Sequence, residues 1–379
     1  MKRNFGLDLL RAFSIWLVLA QHGGINIPGL SPLKIGGIGV EVFFVLSGFL
    51  IGGILFKDID DDLSIKKTLL RFWTRRWFRI LPLYYSVLLF KFIVLDHSIG
   101  SNIFYYFLFL QNNFYGINFL DVSWSLVIEE WFYLFVPVFL LLSNKLFKSD
   151  KKIFIALIAF IIAVNIARLV YVIAGNVPYA GVNSNFPFRF DSLFLGVFLA
   201  FIKHKKWKLF ETLKSPVIFL TGFVLFFSYL YFYWIMAYPV NSIDKLLLPR
   251  TAGFFILPFT IALMVPYISS IGLDFQKNYF QKIIFKVITT TSVLTYAIYL
   301  IHPFVFPLVF GSDHVTSIAL RWLMALSLTY LFAWLIYTFF EKPILLYRDK
   351  ITRQNKSLQG ENSEISLGRV PINEQNNKY

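Results

Sequence analysis

The chain has 379 residues, 57% of them hydrophobic and only 15% charged, with 45 phenylalanines and a mean hydropathy of +0.65; this is a membrane composition and excludes an ordinary soluble enzyme. A formal net charge of +15 does not point to nucleic acid, because the lysines and arginines lie in short clusters between apolar runs, as they do in cytoplasmic loops. The lack of cysteine excludes disulfides, thiolate metal sites and any cysteine-linked acyl intermediate.

The first apolar stretch, residues 7–24, reads as a membrane span interrupted by Asp8, Arg11 and His22. A charge at the centre of a membrane helix costs about 2.5–3.5 kcal/mol on insertion scales, so such residues are expected to face protein or water and to serve a function. Arg11 and His22 are eleven residues apart, three helical turns with about 20° left over, so they share one face about 16 Å apart along the axis. The competing reading is a cleaved signal peptide, with Met1-Lys2-Arg3 as its basic region and Val18-Leu19-Ala20 as its cleavage site. Asp8 is out of place there, and the rest of the chain is itself polytopic.

Further candidate spans are residues 36–56, 80–95, 103–120, 126–142, 153–174, 186–202, 216–238, 251–271, 289–310 and 318–340. With the N-terminus inside, the loop 57–79 falls inside with Lys57, Arg71, Arg75, Arg76 and Arg79, as the positive-inside rule prefers. If residues 103–120 crossed, the loop with Lys145, Lys148, Lys151 and Lys152 would lie outside. That stretch is broken by Gln111-Asn112-Asn113 and Gly116, so it reads as re-entrant or interfacial. Ten spans remain. The predicted fold class is an all-α polytopic membrane protein of about ten transmembrane helices with one re-entrant or interfacial segment. Residues 1–345 form its membrane domain. Residues 346–379 form a polar tail too poor in apolar residues to fold alone and expected to be disordered. Both termini are expected on the cytoplasmic side of the inner membrane, and no internal repeat of fixed period is visible.

This orientation sorts the polar residues. Glu41, Glu129, Glu130, Arg189 and Asp191 follow the outer ends of their helices, and His22 and His302 occupy the outer halves of theirs. Asp8, Arg11, the cluster from Arg71 to Arg79 and Glu341 lie at inner ends. Each has a plain and a functional reading. Arg75, Arg76 and Arg79 either satisfy the positive-inside rule against anionic lipid or clamp a phosphorylated ligand through their guanidinium forks. Glu129 and Glu130 point about 100° apart on a helix, so at most one faces a given site. Arg189 and Asp191 form a buried ion pair or belong to a site. His302, beside Pro303, packs through a hydrogen bond or takes part in chemistry. His97, His204 and His314 sit in predicted loops and carry no signal.

Read together, these residues form a familiar series. Leu7-Asp8-Leu9-Leu10-Arg11-Ala12 followed by His22, and Gly39-Val40-Glu41-Val42-Phe43-Phe44-Val45-Leu46-Ser47-Gly48-Phe49, resemble the opening of the acyltransferase-3 family of integral-membrane acyltransferases. Arg76-Trp77-Phe78-Arg79-Ile80-Leu81-Pro82-Leu83-Tyr84 is similar to its paired-arginine motif, and Trp124-Ser125-Leu126-Val127-Ile128-Glu129-Glu130-Trp131-Phe132-Tyr133 to its Trp-Ser-Leu…Glu-Glu signature. Arg189-Phe190-Asp191, Tyr299-Leu300-Ile301-His302 and Glu341-Lys342-Pro343 resemble later blocks, so the likeness runs from about residue 5 to 348. Val127 stands where many members carry serine, which removes a serine nucleophile there, and Trp131 stands where glutamine is common.

The resemblance implies transfer of an acyl group from a cytosolic acyl-CoA, usually acetyl-CoA, to a hydroxyl of an extracytoplasmic or lipid-linked carbohydrate. Arg11, Arg76, Arg79 and Tyr84 are the implied donor-binding residues, and Trp124, Ser125, Tyr133, Arg189 and His302 the acceptor-side ones. No permanently bound cofactor, metal or nucleic-acid partner is expected. Some members carry a fused esterase-like domain; with none in these 379 residues, the membrane domain is expected to complete the transfer or to pass the acyl group to a separate periplasmic acyl-accepting protein. His22, with an unperturbed pKa of about 6.5, is the predicted general base or acyl relay. Glu41, Glu129, Glu130 and Asp191 are the candidates for its orienting carboxylate. The alternatives are a transporter or flippase of a lipid-linked sugar, and an acyltransferase acting on a small secondary metabolite.

Overall fold

The computed structural model describes residues 3–24, 35–61, 64–114, 116, 118–237, 243–272, 278–311 and 317–352. Expectations that fall on Met1 and Lys2, on His314 and on the tail beyond Thr352 lie outside these described residues.

The order is α1 (Phe5–His22), α2 (Ile35–Asp60), α3 (Ile65–Phe90), α4 (Ile103–Phe107), α5 (Gln111–Phe114), α6 (Ser123–Phe147), α7 (Asp150–Gly175) and α8 (Tyr179–Asn183). Then come α9 (Phe190–Lys205), α10 (Trp207–Leu213), α11 (Pro216–Ala237), α12 (Leu247–Arg250), α13 (Gly253–Ile268), α14 (Tyr279–Phe310) and α15 (Ile318–Ile336). No strand occurs among the described residues. Among the described residues, eight helices are long and apolar enough to cross a membrane, and α1 with 18 residues and α9 with 16 bring the long helices to ten. The protein is an all-α multi-pass membrane protein.

Alternation of these ten helices gives the bundle two polar ends. The basic end holds the start of α1, the end of α2 and the end of α9, where Asp60 accepts from Lys205 at 2.6 Å and lies 2.5 Å from His204 Nε2. The opposite end, called here the histidine end, holds the close of α1, the start of α2 and the start of α6. Gln21 Oε1 accepts from the Gly36 N–H at 2.8 Å and ties two of these together. Among the described residues of 103–120 the short helices α4 and α5 are the only helices, and the segment begins and finishes at the histidine end. Asn112 Nδ2 ties the segment to the carbonyls of Trp124 at 2.8 Å and Ser184 at 2.7 Å. Carbonyls of the segment itself, at Tyr106, Phe107 and Phe109, accept from Tyr84 at 3.1 Å, Tyr85 at 2.9 Å and Trp131 Nε1 at 2.8 Å, which satisfies backbone that a lone segment at membrane depth would leave bare.

Several boundaries differ from the sequence reading; α14, for one, starts at Tyr279, well before the predicted span at 289–310. The basic stretch assigned to a loop is largely helical: α2 runs to Asp60 and α3 starts at Ile65, so Arg71, Arg75, Arg76 and Arg79 stand on the first four turns of α3. Hydropathy finds where a helix is apolar, not where it ends, and lysine and arginine are good helix formers. Likewise the last helix continues through a π-helical turn, Tyr337–Glu341, to Thr352, so residues 346–352 are helical.

Helices α2 and α9 make the tightest pairing. A Cβ on Gly48 would lie 1.8 Å from the Leu193 carbonyl oxygen, and one on Gly196 would lie 2.1 Å from that of Val45. Only glycine lets these backbones touch, the usual means of close helix association without water to drive it. This contact fixes the height of α2, and with it Glu41 and Ser47. On the other side α1 is tied to α14 and α15: Ser292 Oγ donates to Asp8 at 2.6 Å and Trp16 Nε1 to Tyr330 at 2.9 Å.

Candidate active site

The basic end opens into a vestibule of about 1060 Å³ lined by Arg3, Lys57, Lys203, His204, Trp207 and Glu341, among others. Deeper in the bundle lies a chamber of about 300 Å³. The two share Arg11, Leu50, Ile54, Arg79, Ser292 and Tyr296 in their walls, so they adjoin, one at the basic end and one deeper in the bundle. Three guanidinium groups face the chamber, from Arg11 on α1 and from Arg76 and Arg79 on α3, against one carboxylate, Glu129 on α6. The Arg76 guanidinium lies 5.6 Å from the Tyr133 ring centroid and 5.9 Å from that of Phe72, so its face is fixed by aromatic contact. Apolar residues such as Phe43, Phe44, Leu46 and Ile51 make most of the remaining wall. A phosphorylated head with a long uncharged arm fits such a lining: cations at the mouth, a narrow apolar sleeve beyond.

Ser47 Oγ lies 2.7 Å from Tyr133 Oη, which donates to Glu129 Oε2 at 3.0 Å. Tyrosine has one hydroxyl hydrogen, so Ser47 must be the donor to Tyr133. The chain therefore runs Ser47 to Tyr133 to Glu129 along the chamber wall and holds that carboxylate in place. Higher up, Tyr299 Oη donates to the Val122 carbonyl at 2.7 Å and receives the Ser125 hydroxyl at 2.7 Å, closing the chamber toward the histidine end.

His22, half-buried, closes α1 there. Its ring meets that of His302 edge-on, with centroids 4.6 Å apart and planes at 75°. His302 is fully buried, and its Nδ1 lies 3.1 Å from the Ile298 carbonyl. The Tyr299 ring, part of the chamber wall, is 5.8 Å from that of His302. Arg11 and His22 thus stand at the chamber and beyond its upper limit on one helix.

The predicted residues do not all converge. Arg189 and Asp191 are not partners. Arg189 pairs with Glu41 and with Asn183 at 3.0 Å, its guanidinium 4.2 Å from the Phe254 ring centroid. Asp191 pairs with Arg168 at 2.9 Å and accepts from Asn165 at 3.1 Å. On α9 and the turn before it, residues two apart point to different helices, so each finds its own counter-charge. Glu41 and Asp191 are thereby committed to buried ion pairs. Tyr84 is also displaced from its expected role: it is fully buried, bonds the Tyr106 carbonyl at 3.1 Å and stacks on Phe109 at 4.6 Å, so it pins the re-entrant segment and lines neither cavity. Trp124 meets Phe44 edge-on at 6.2 Å and accepts from Asn112 through its carbonyl. Glu130 is buried beside the chamber with Oε1 unpartnered, turned away from Glu129 as helical spacing requires.

Sequence reasoning overlooked Ser47, Arg168 and Asn165. Arg168 carried a signal, an arginine inside the apolar run of α7, and the cost of intramembrane charge should have singled it out. Ser47 carried none beyond its place in the α2 motif. No group of three or more histidine and acidic residues fit for a metal occurs among the described residues.

The model of an acyltransferase domain matches residues 4–338 of the chain. The chain belongs to the acyltransferase-3 family. Among curated relatives, a Staphylococcus aureus protein whose name proposes an O-acetyltransferase is 34% identical over 232 residues, 56% of this chain and 36% of that one. The peptidoglycan O-acetyltransferase of Listeria monocytogenes is 34% identical over 165 residues, 38% of this chain and 25% of its own length. A Bacillus subtilis relative whose name proposes the same activity is 34% identical over 168 residues, 39% of this chain and 25% of that one. The matched region thus spans about a third or less of these relatives. No solved structure matches the chain.

Proposed function

We propose that the protein is an O-acetyltransferase that takes an acetyl group from acetyl-CoA at the basic end and delivers it to a carbohydrate hydroxyl at the histidine end. The observation that carries this reading is the pair of adjoining cavities, lined by cations from Lys57 to Arg76, with the His22–His302 pair beyond the chamber. In this reading the vestibule takes the nucleotide and phosphates, and Arg79, Arg76 and Arg11 neutralise the phosphates nearest the chamber. The pantetheine arm is about as long as four or five extended residues, about 15 Å, comparable to the Arg11–His22 separation. Opening of the Ser125–Tyr299 contact brings the thioester to His22. His22 then takes the acceptor's proton as the new C–O bond forms and returns it to the departing thiolate. The positive-inside rule supports a cytoplasmic basic end and an inner-membrane location. The names of the Listeria and Bacillus relatives favour peptidoglycan as the acceptor.

Membranes containing the protein are expected to release CoA from labelled acetyl-CoA and to O-acetylate peptidoglycan fragments, read by mass spectrometry. His22→Ala should lower this rate by about 10²–10⁴-fold with the protein still folded and inserted. Full transfer by that folded variant would sink the assignment of His22, and sugar uptake without acyl transfer would favour a transporter.

A further inference from the structure

A base that changes charge during a reaction needs a group that holds its second nitrogen, and three of the four expected carboxylates are engaged elsewhere, while Glu130 is buried beside the chamber with Oε1 unpartnered. Glu41 is committed to Arg189 and Asp191 to Arg168, while Glu129 receives Tyr133 on the chamber wall. Among the side chains that meet His22 is His302, on α14, through its ring.

The local bonding of His302 sets what it offers. Its Nδ1 faces the Ile298 carbonyl, which only accepts, so Nδ1 carries the hydrogen and in the neutral ring Nε2 carries the lone pair. That Nε2 is buried and unpartnered, in a side chain with no solvent exposure. An unmade hydrogen bond in the interior costs free energy wherever it persists, which is tolerable where the partner arrives during the reaction. His22, whose ring lies edge-on to that of His302 with centroids 4.6 Å apart, is the group placed to supply it.

We propose that His302 is the positioning residue of His22, its Nε2 accepting a hydrogen bond from one ring N–H of His22 while the other nitrogen takes the acceptor's proton. This rests on the acetyl-transfer reading above. In the step, the acceptor O–H breaks and its proton moves to His22, the oxygen joins the acyl carbon, and the C–S bond breaks. The same proton then passes to the CoA sulfur. His302 gains and loses no proton; it fixes the ring and meets the N–H of the transient imidazolium, the task a carboxylate performs in other base assemblies.

The tautomer makes the test sharp. In His302→Gln the amide oxygen reaches the place of Nε2 and keeps an acceptor there. His302→Asn reaches only the place of Nδ1, and His302→Phe supplies neither. With melting temperatures near wild type, the Asn and Phe variants are expected to lose about 10–100-fold in kcat, the worth of one hydrogen bond to a group that becomes charged. Their KM for acetyl-CoA should hold, and Gln should recover most of the rate. Combining His22→Ala with His302→Phe should be no slower than His22→Ala alone, because a residue acting through another adds nothing once that residue is gone. A purely structural role predicts the reverse order, with Asn mildest because it keeps the bond to Ile298. That order, a loss confined to KM, or additive losses in the double variant would overturn the proposal. Wild-type protein that transfers no acetyl group would overturn both readings, whereas active wild type with unaffected His302 variants would overturn this one alone.

Discussion

Arg168 and Asp191 meet at 2.9 Å with neither side chain exposed, and Arg189 is held by Glu41, Asn183 and the Phe254 ring. A few turns away Arg11, Arg76 and Arg79 share a chamber with one carboxylate, Glu129. Arg11 does reach Asp8, but at 3.6 Å and in competition with Arg3, which sits 3.0 Å from the same carboxylate. All are arginines in or directly before membrane helices, and composition or hydropathy treats them alike. In the first group each cation has its own anion and a hydrogen-bonded neighbour, as charge out of water requires, with Arg168 Nε, Arg189 Nε and Glu41 Oε2 left unpartnered. The second is left with cationic excess around an open volume. Paired charge holds helices together, whereas the excess positive charge of the second group faces a cavity.

The sharpest way to break this contrast is Arg168→Ala, which leaves Asp191 buried without its cation. It should destabilise the fold by about 3–5 kcal/mol. Thermal unfolding in detergent reads this, and an unchanged melting temperature would show that Asp191 has another source of compensation. Next in size is Arg79→Gln. Here the melting temperature should stay close to wild type, while the KM for acetyl-CoA rises about 10–100-fold, the value of a charged hydrogen bond. A variant that melts early with unchanged KM would place Arg79 with the structural charges instead. The smallest expected effect is Tyr133→Phe, which cuts the chain from Ser47 to Glu129 while leaving the ring under Arg76. The loss of a hydrogen bond is worth about 0.5–1.5 kcal/mol. Calorimetry or fluorescence melting should show a modest shift, and donor kinetics should change several-fold at most.

Much of the fold was legible in the residues. Runs of apolar side chains gave the ten long helices, and the polar break at Gln111-Asn112-Asn113 gave the segment that does not cross. Lysine and arginine counts gave an alternation that the packed ends of α1, α2 and α9 share. These properties are local: about twenty apolar residues satisfy the bilayer whatever lies beside them. The eleven-residue step from Arg11 to His22 was legible for the same reason, since helical pitch converts spacing into distance.

Only the tertiary structure decided which charges meet. Arg189 finds Glu41 148 positions away, Asp8 finds Ser292 284 positions away, and the ring against His22 comes from α14. A sequence shows that an intramembrane arginine needs a partner, but several carboxylates at similar depth meet that need equally well until the helices are rotated and stacked. That choice belongs to close backbone contacts such as Gly48 against Leu193, which set helix height and rotation, and so separate the charges that hold the bundle from those that face its cavity.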